Sequence, residues 1–304
     1  MTTVTLGHDE GLLAPSLRLI ATEVDRAFDL LLPEPADGRI KLYQAMRHAA
    51  IGGGKRLRPL LVIAAAELFA VPRERAFRAG MAVECIHVHS LIHDDLPCMD
   101  DDDLRRGKPT VHCAFDEATA VLAGDSLHAL AFELLADPAT HPDPSVRAEL
   151  TLSLARSVGA SGMAGGQMLD LMPEPSIGDL EAIARLQRLK TGALIGWCLD
   201  AGGALGQAGE EARRSLRGYA RCVGLAFQIA DDLLDVEGCE AAAGKRLRKD
   251  DAAGKPTFVS LLGAPAARAQ ANLLSSQAID HLADFGPRAD LLRAVARFAV
   301  ERDR

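Results

Sequence analysis

The stretch IHVHSLIHDDLPCMDDDD, from Ile86 to Asp103, passes from an apolar helical pattern into six carboxylates within ten residues. Its apolar side chains, Ile86, Val88, Leu91 and Ile92, belong to a helix predicted from about Arg75 to Asp95. The theme returns in AFQIADDLLD, from Ala226 to Asp235, inside a second apolar helix. Acidic groups mounted in pairs on buried helices are not a solvated charge run. Around them, aromatic residues amount to only 4%, with one Trp and two Tyr, and long stretches are dominated by Ala, Leu, Arg and Glu. These are strong helix formers and weak strand formers, so the chain reads as all-α.

Working outward, Gly and Pro punctuate the helical pattern. Helices are predicted over 12–32, 40–51, 59–70, 75–95, 116–135, 145–159, 164–171, 177–202 and 210–235, with two more in the C-terminal part. Gly52–Gly54 breaks the second of these, and Pro97, Gly107 and Pro109 bracket a charged loop. No repeat or biased linker divides the 304 residues, so one domain over 1–304 is expected, with a flexible leader at about 1–10. Net charge is -8, which argues against nucleic acid as a partner. The most apolar stretch, Leu60–Ala66, is far shorter than a membrane span, and no secretory signal is visible, so a cytoplasmic protein is expected. The six cysteines form no CxxC pair and read as reduced, mostly buried thiols rather than disulfides or a metal-thiolate site.

The two Asp clusters carry the chemistry. Asp231 and Asp235 stand four apart on one helix face, with Gln228 three residues before Asp231 on the same side. Asp94 and Asp100 are six apart and cannot align on an ideal helix, so Pro97 marks where the helix ends or bulges and returns Asp100 to the site. Oxygen ligands without thiolates suit Mg²⁺ or Mn²⁺, usually completed by water and substrate phosphates. Counter-charge is at hand in Lys55, Arg56, Arg58, Arg105, Arg106, Lys190, Lys245 and Lys255. In an acidic chain, basic groups beside acidic metal ligands point to a phosphate-bearing substrate.

The motifs Gly53–Pro59, Leu91–Asp100, Leu104–Thr110, Lys190–Gly192 and Phe227–Asp235 resemble, in order, those of the trans-isoprenyl diphosphate synthases. The likeness is greatest to the bacterial farnesyl diphosphate synthases, whose first Asp motif carries the same two extra residues. The resemblance implies an all-α fold around a deep central cavity, usually a homodimer, and three Mg²⁺ ions, for which Mn²⁺ can substitute. It implies that Asp94 and Asp100 bind two of those ions and Asp231 the third, with Asp95 and Asp235 acting through water or by orienting a ligand. It places Arg105, Lys190 and Lys245 on the allylic diphosphate, dimethylallyl or geranyl. Thr191 and Gln228 fall near the reacting carbon, and Lys55, Arg58, His87 and Arg106 on isopentenyl diphosphate. His89 and Ser90, one turn before Asp94 with Cys85 and Met81 deeper, are implied to limit the product chain. Histidine at position 89 favours farnesyl over geranylgeranyl diphosphate.

Rival readings leave residues unexplained. An HD-type phosphohydrolase would use His93 and Asp94, with His87 and His89 offered as further ligands. His87 and His93 point differently on a helix, however, and Asp231 and Lys190 would have no role. A terpene cyclase would carry a different second metal motif, and a non-catalytic partner subunit would have lost an Asp cluster. Gly165 and Gly166, with Gln167 and Asp170, resemble a family helix near the allylic tail and read equally well as tight helix packing, and His112 and His128 give no signal.

Overall fold

A computed structural model describes residues 10–172, 180–237 and 257–301. The expected leader, Glu10 apart, lies outside these residues, as do Lys245, Lys255 and Cys239. Helices α1 (Glu10–Leu31), α2 (Ile40–Ala50), α3 (Leu57–Glu67) and α4 (Arg73–Asp94) lead to a short antiparallel hairpin, β1 (Leu104–Arg105) and β2 (Lys108–Pro109). Then come α5 (Val111–Ala114), α6 (Glu117–Ala136), α7 (Pro144–Val158) and α8 (Met163–Leu171). Next, α9 (Leu180–Gln187) runs through a π-helical turn, Arg188–Gly192, directly into α10 (Ala193–Leu205). Finally α11 (Glu210–Glu237) precedes α12 (Phe258–Leu262), α13 (Ala264–Asp280), a 3-10 segment (Ala283–Ala289) and α14 (Asp290–Glu301).

The all-α expectation holds, and helix ends fall where local chemistry sets them. Asp116 accepts the Thr119 N–H at 2.7 Å and starts α6. Asp143 accepts from Ser145 at 2.8 Å, with Pro144 in the first turn of α7. α3 is the central helix, buried on every side from Pro59 to Ala66 and flanked by α4 and α10. Such contact is possible because side chains are small where backbones meet: Gly80 faces Pro59, and Gly202 faces Ala65. α10 is buried along most of its length from Leu194 to Leu205, and its Trp197 donates the indole N–H to Ser153 at 3.0 Å.

Three expectations need correction. The charged loop after Asp103 is a β-hairpin, because left-handed Arg106 and Gly107 make a two-residue turn. The single helix expected over 177–202 contains the π-turn, an inserted residue that helix-forming side chains do not announce. Third, α6 is long and apolar enough by length and composition to cross a membrane. Yet Ala120, Ala123, Leu127, Ala131, Leu134 and Leu135 are buried and the helix packs along α4, which makes it a core helix.

Candidate active site

At the C-terminal end of α4 the chain turns back on itself. The Asp100 N–H donates to the Asp94 carbonyl at 2.8 Å and the Asp102 N–H to the Asp95 carbonyl at 3.3 Å, while Asp101 takes a left-handed conformation. Pro97 therefore sits where the helix has ended, and Asp100 is returned to Asp94 as the spacing required. No hydrogen bond from a described residue reaches the Asp94 carboxylate. Burial raises its pKa to about 6, opposed by Lys190 and reinforced by Asp100. A carboxylate in that condition is a fit ligand for a cation, and the all-oxygen donor set suits Mg²⁺.

Asp95 faces the other way. It is 3% exposed and accepts the Arg105 Nε–H at 2.7 Å, so its bond to Arg105 orients the hairpin. Burial raises the Asp95 pKa in spite of that bond. Arg105 also lies 3.6 Å from Asp102.

Lys190, in the π-turn, donates to Asp170 of α8 at 2.7 Å. A Cβ at Gly166 would run into the Lys190 backbone, so α8 packs closely on this turn at that glycine, with Asp170 in reach of the lysine. On its other side the π-turn packs against α11, where the position of a Gly224 Cβ lies 3.7 Å from Gly192. One turn further along α11 stands Gln228, whose Nε2 donates to Asp232 at 3.1 Å. Asp232 is buried and accepts the Phe258 N–H at 3.0 Å, which ties α12 to α11. Asp231 is exposed and Asp235 half-buried. Of Asp231, Asp232 and Asp235, the middle one is structural.

The basic residues divide in the same manner. Arg56, in a left-handed conformation and 2% exposed, bonds Glu84 and Asp25 at 2.8 Å each and the Ala50 carbonyl. Counted by sequence among the counter-charges, it is an internal tie between α1, α2 and α4. Arg58 keeps a buried Nε without a hydrogen-bond partner among the described residues, and Lys55 lies 5.3 Å from the Phe298 ring centroid. Arg106 reaches across to Gly53 and Gly54, whose missing side chains leave room for its guanidinium. Its pKa is lowered, by burial first and then by Arg56. His87 is held well below its ordinary value by burial and by Arg58 and Arg106, so it is neutral near pH 7.

Of the chain-length candidates, His89 lies on the α6 side of α4. The His89 ring packs on His93 at 4.5 Å and on His128 at 4.9 Å, and His128 packs in turn on Phe132 at 5.2 Å. Burial lowers the His89 pKa to about 4. Ser90 donates to the His87 carbonyl at 2.9 Å, which turns its hydroxyl back onto the helix. Sequence patterning gives no sign of His128; its spacing of four residues from Phe132 is the one available signal. His93 Nε2 contacts the Val121 carbonyl at 3.1 Å in the packing of α4 on α6.

The polyprenyl synthetase family model matches residues 40–285. The chain is 45% identical to the farnesyl diphosphate synthase of Escherichia coli strain K12 over 269 residues, 86% of this chain and 89% of that protein. It is 42% identical to a chloroplastic geranylgeranyl pyrophosphate synthase of Catharanthus roseus, over 93% of this chain and 79% of that one. The apo crystal structure of an FPP/GFPP synthase from Zymomonas mobilis superposes with a TM-score of 0.88 at 55% identity, covering 96% of this chain and 99% of that one. A match that begins before the glycine loop and ends beyond the second Asp helix leaves one conclusion: the chain belongs to the polyprenyl synthetase family.

Proposed function

We propose that the protein joins isopentenyl diphosphate head-to-tail to dimethylallyl and then geranyl diphosphate, releasing farnesyl diphosphate. The observation that carries this reading is the presence of two separate polar groups. One is the half-buried Asp94 carboxylate, which accepts no hydrogen bond from the described residues and lies within reach of the Lys190 charge, and the other is the cluster of His87, Arg58 and Arg106. One diphosphate cannot use both.

Asp94, Asp100 and Asp231 would hold three Mg²⁺ ions, or Mn²⁺, with Asp95 and Asp235 orienting them through water or neighbouring ligands. Bound there, the ions supply the positive charge that turns the allylic diphosphate into a good leaving group. Lys190, Arg105 and Lys245 grip the same diphosphate, and Asp170 and Asp95 hold the first two of these aimed. The allylic C–O bond breaks, and Thr191 and Gln228 face the electron-poor carbon. With its amide nitrogen committed to Asp232, Gln228 keeps its carbonyl oxygen as the end that favours positive charge. Isopentenyl diphosphate, on Lys55, Arg58, Arg106 and neutral His87, offers its double bond to that carbon. The new C–C bond forms, and the proton lost from the condensed cation goes to the departing diphosphate. Exclusion of water by the apolar helices keeps the cation from ending as an alcohol.

The His89–His128–Phe132 stack supports a fifteen-carbon stop over twenty. Val121 and Leu122, exposed on α6, support a homodimer. The test is to incubate the purified protein with isopentenyl and dimethylallyl diphosphates and Mg²⁺, dephosphorylate, and weigh the alcohols. Farnesol as the main product is expected, with none in excess EDTA. Geranylgeraniol as the main product would overturn the chain-length assignment, and phosphate release without condensation would overturn the reaction.

A further inference from the structure

Outside the Asp clusters, Asp103, His112 and Cys113 bring their side chains together at the base of the hairpin. Their nearest ligand atoms all lie within 4.8 Å of one another. Cys113 Sγ is 3.4 Å from Asp103 Oδ1 and 3.3 Å from His112 Nε2. A tetrahedral Zn²⁺ with its usual bond lengths has ligand-to-ligand edges of about 3.5 Å, so these atoms stand close to the required spacing before any ion is added.

Two features make the trio more than a chance meeting of polar side chains. First, the His112 ring is oriented by a partner of its own. Its Nδ1 lies 3.2 Å from the hydroxyl of Thr110, which is 3% exposed, and with Nδ1–H donating to that hydroxyl the Nε2 lone pair is left on the side of Cys113. Second, the backbone already joins the two ends of the segment, because the Thr110 N–H donates to the Asp103 carbonyl at 2.9 Å. The positions of all three ligands therefore follow from the hairpin and the start of α5, not from freely rotating chain.

We propose that Asp103, His112 and Cys113 form a binding site for a thiophilic divalent cation of the Zn²⁺ class, which clips together the two ends of the hairpin that carries Arg105 and Arg106. The thiolate selects Zn²⁺ over Mg²⁺, which prefers oxygen. On binding, the Cys113 S–H bond gives way to a sulfur–metal bond and the proton passes to solvent. Asp103 and Cys113 are exposed, so water completes the fourth position. The expectation of buried thiols holds for Cys85 and Cys198, whereas Cys113 is exposed.

The site stands whatever the enzyme makes, so its test does not depend on turnover. Co²⁺ is titrated into the full chain in excess Mg²⁺, which occupies the oxygen sites, and the sulfur-to-cobalt charge-transfer band is followed. One equivalent producing that band, displaced by Zn²⁺, is the expected result. Cys113→Ser should abolish the band, and Cys98→Ser, at the other exposed thiol among the described residues, should leave it. Thr110→Val should weaken Zn²⁺ binding by about 10-fold. Absence of the band, or its survival in Cys113→Ser, would overturn the assignment.

Discussion

Replacing Gly54 by alanine tests how the glycine loop and the hairpin cooperate. The residue has φ +89°, and an added Cβ would lie 2.5 Å from Arg106 Nη2 and 2.7 Å from its Cζ. The far end of a side chain yields more readily than backbone, so the guanidinium is displaced and the helices stay in place. Loss of one charge-assisted hydrogen bond to isopentenyl diphosphate costs about 1.5–3 kcal/mol, or roughly 10- to 150-fold in kcat/KM. The left-handed backbone adds about 1–3 kcal/mol of strain, seen as a lower Tm. Gly263→Ala separates the two effects, because Gly263 has φ +78° and nothing within 4 Å of its Cβ position. The assay is steady-state kinetics with isopentenyl diphosphate varied at saturating allylic substrate. Gly54→Ala should raise KM for isopentenyl diphosphate and Gly263→Ala should not. An unchanged KM in the first variant, or the same change in both, would refute the reasoning.

Other consequences can be checked independently. Because the Asp94 pKa is raised to about 6 and a cation needs the deprotonated form, Mg²⁺ affinity measured by calorimetry should fall as pH drops through 6. Asp94→Asn should remove that pH dependence and lower kcat by several decades, an effect of at least about 3–4 kcal/mol. His89→Ala should lengthen the product, His89→Tyr should not, and His128→Ala should lengthen it as well, since the two rings are in contact at 4.9 Å. Arg56→Met should leave Glu84 and Asp25 uncompensated, at a cost of about 3–5 kcal/mol, or on the order of 10 °C in Tm by calorimetry. A Tm unchanged by that substitution would show the network to be idle.

The helix order was legible because Gly and Pro interrupt a strong helical composition, and the return of Asp100 to Asp94 followed from Pro97 alone. What stayed hidden was the division of labour among identical neighbours. Arg56 and Arg58 look alike in sequence, yet a left-handed backbone at Arg56 sends its side chain inward to Glu84. Asp231 and Asp232 are adjacent, and only the arrival of α12 at Phe258 makes the second a structural acceptor. His128 carries no motif, and the pairing of Asp170 with Lys190 was hidden because each is defined by what lies opposite in space. The π-turn escaped for a different reason: its residues are compatible with an ordinary helix, and only packing against α8 and α11 selects the wider turn.

That turn makes chain length, rather than residue identity, the site's most sensitive variable. An α-helix rotates about 100° and rises about 1.5 Å per residue, so deleting one residue between Arg188 and Gly192 would restore regular winding by swinging α9 around its axis relative to α10. Lys190 would leave Asp170, and Gly192 would leave its place against Gly224, although every other residue kept its identity. Libraries of single-residue deletions should therefore show a sharp minimum of tolerance here, in a segment where many individual substitutions pass.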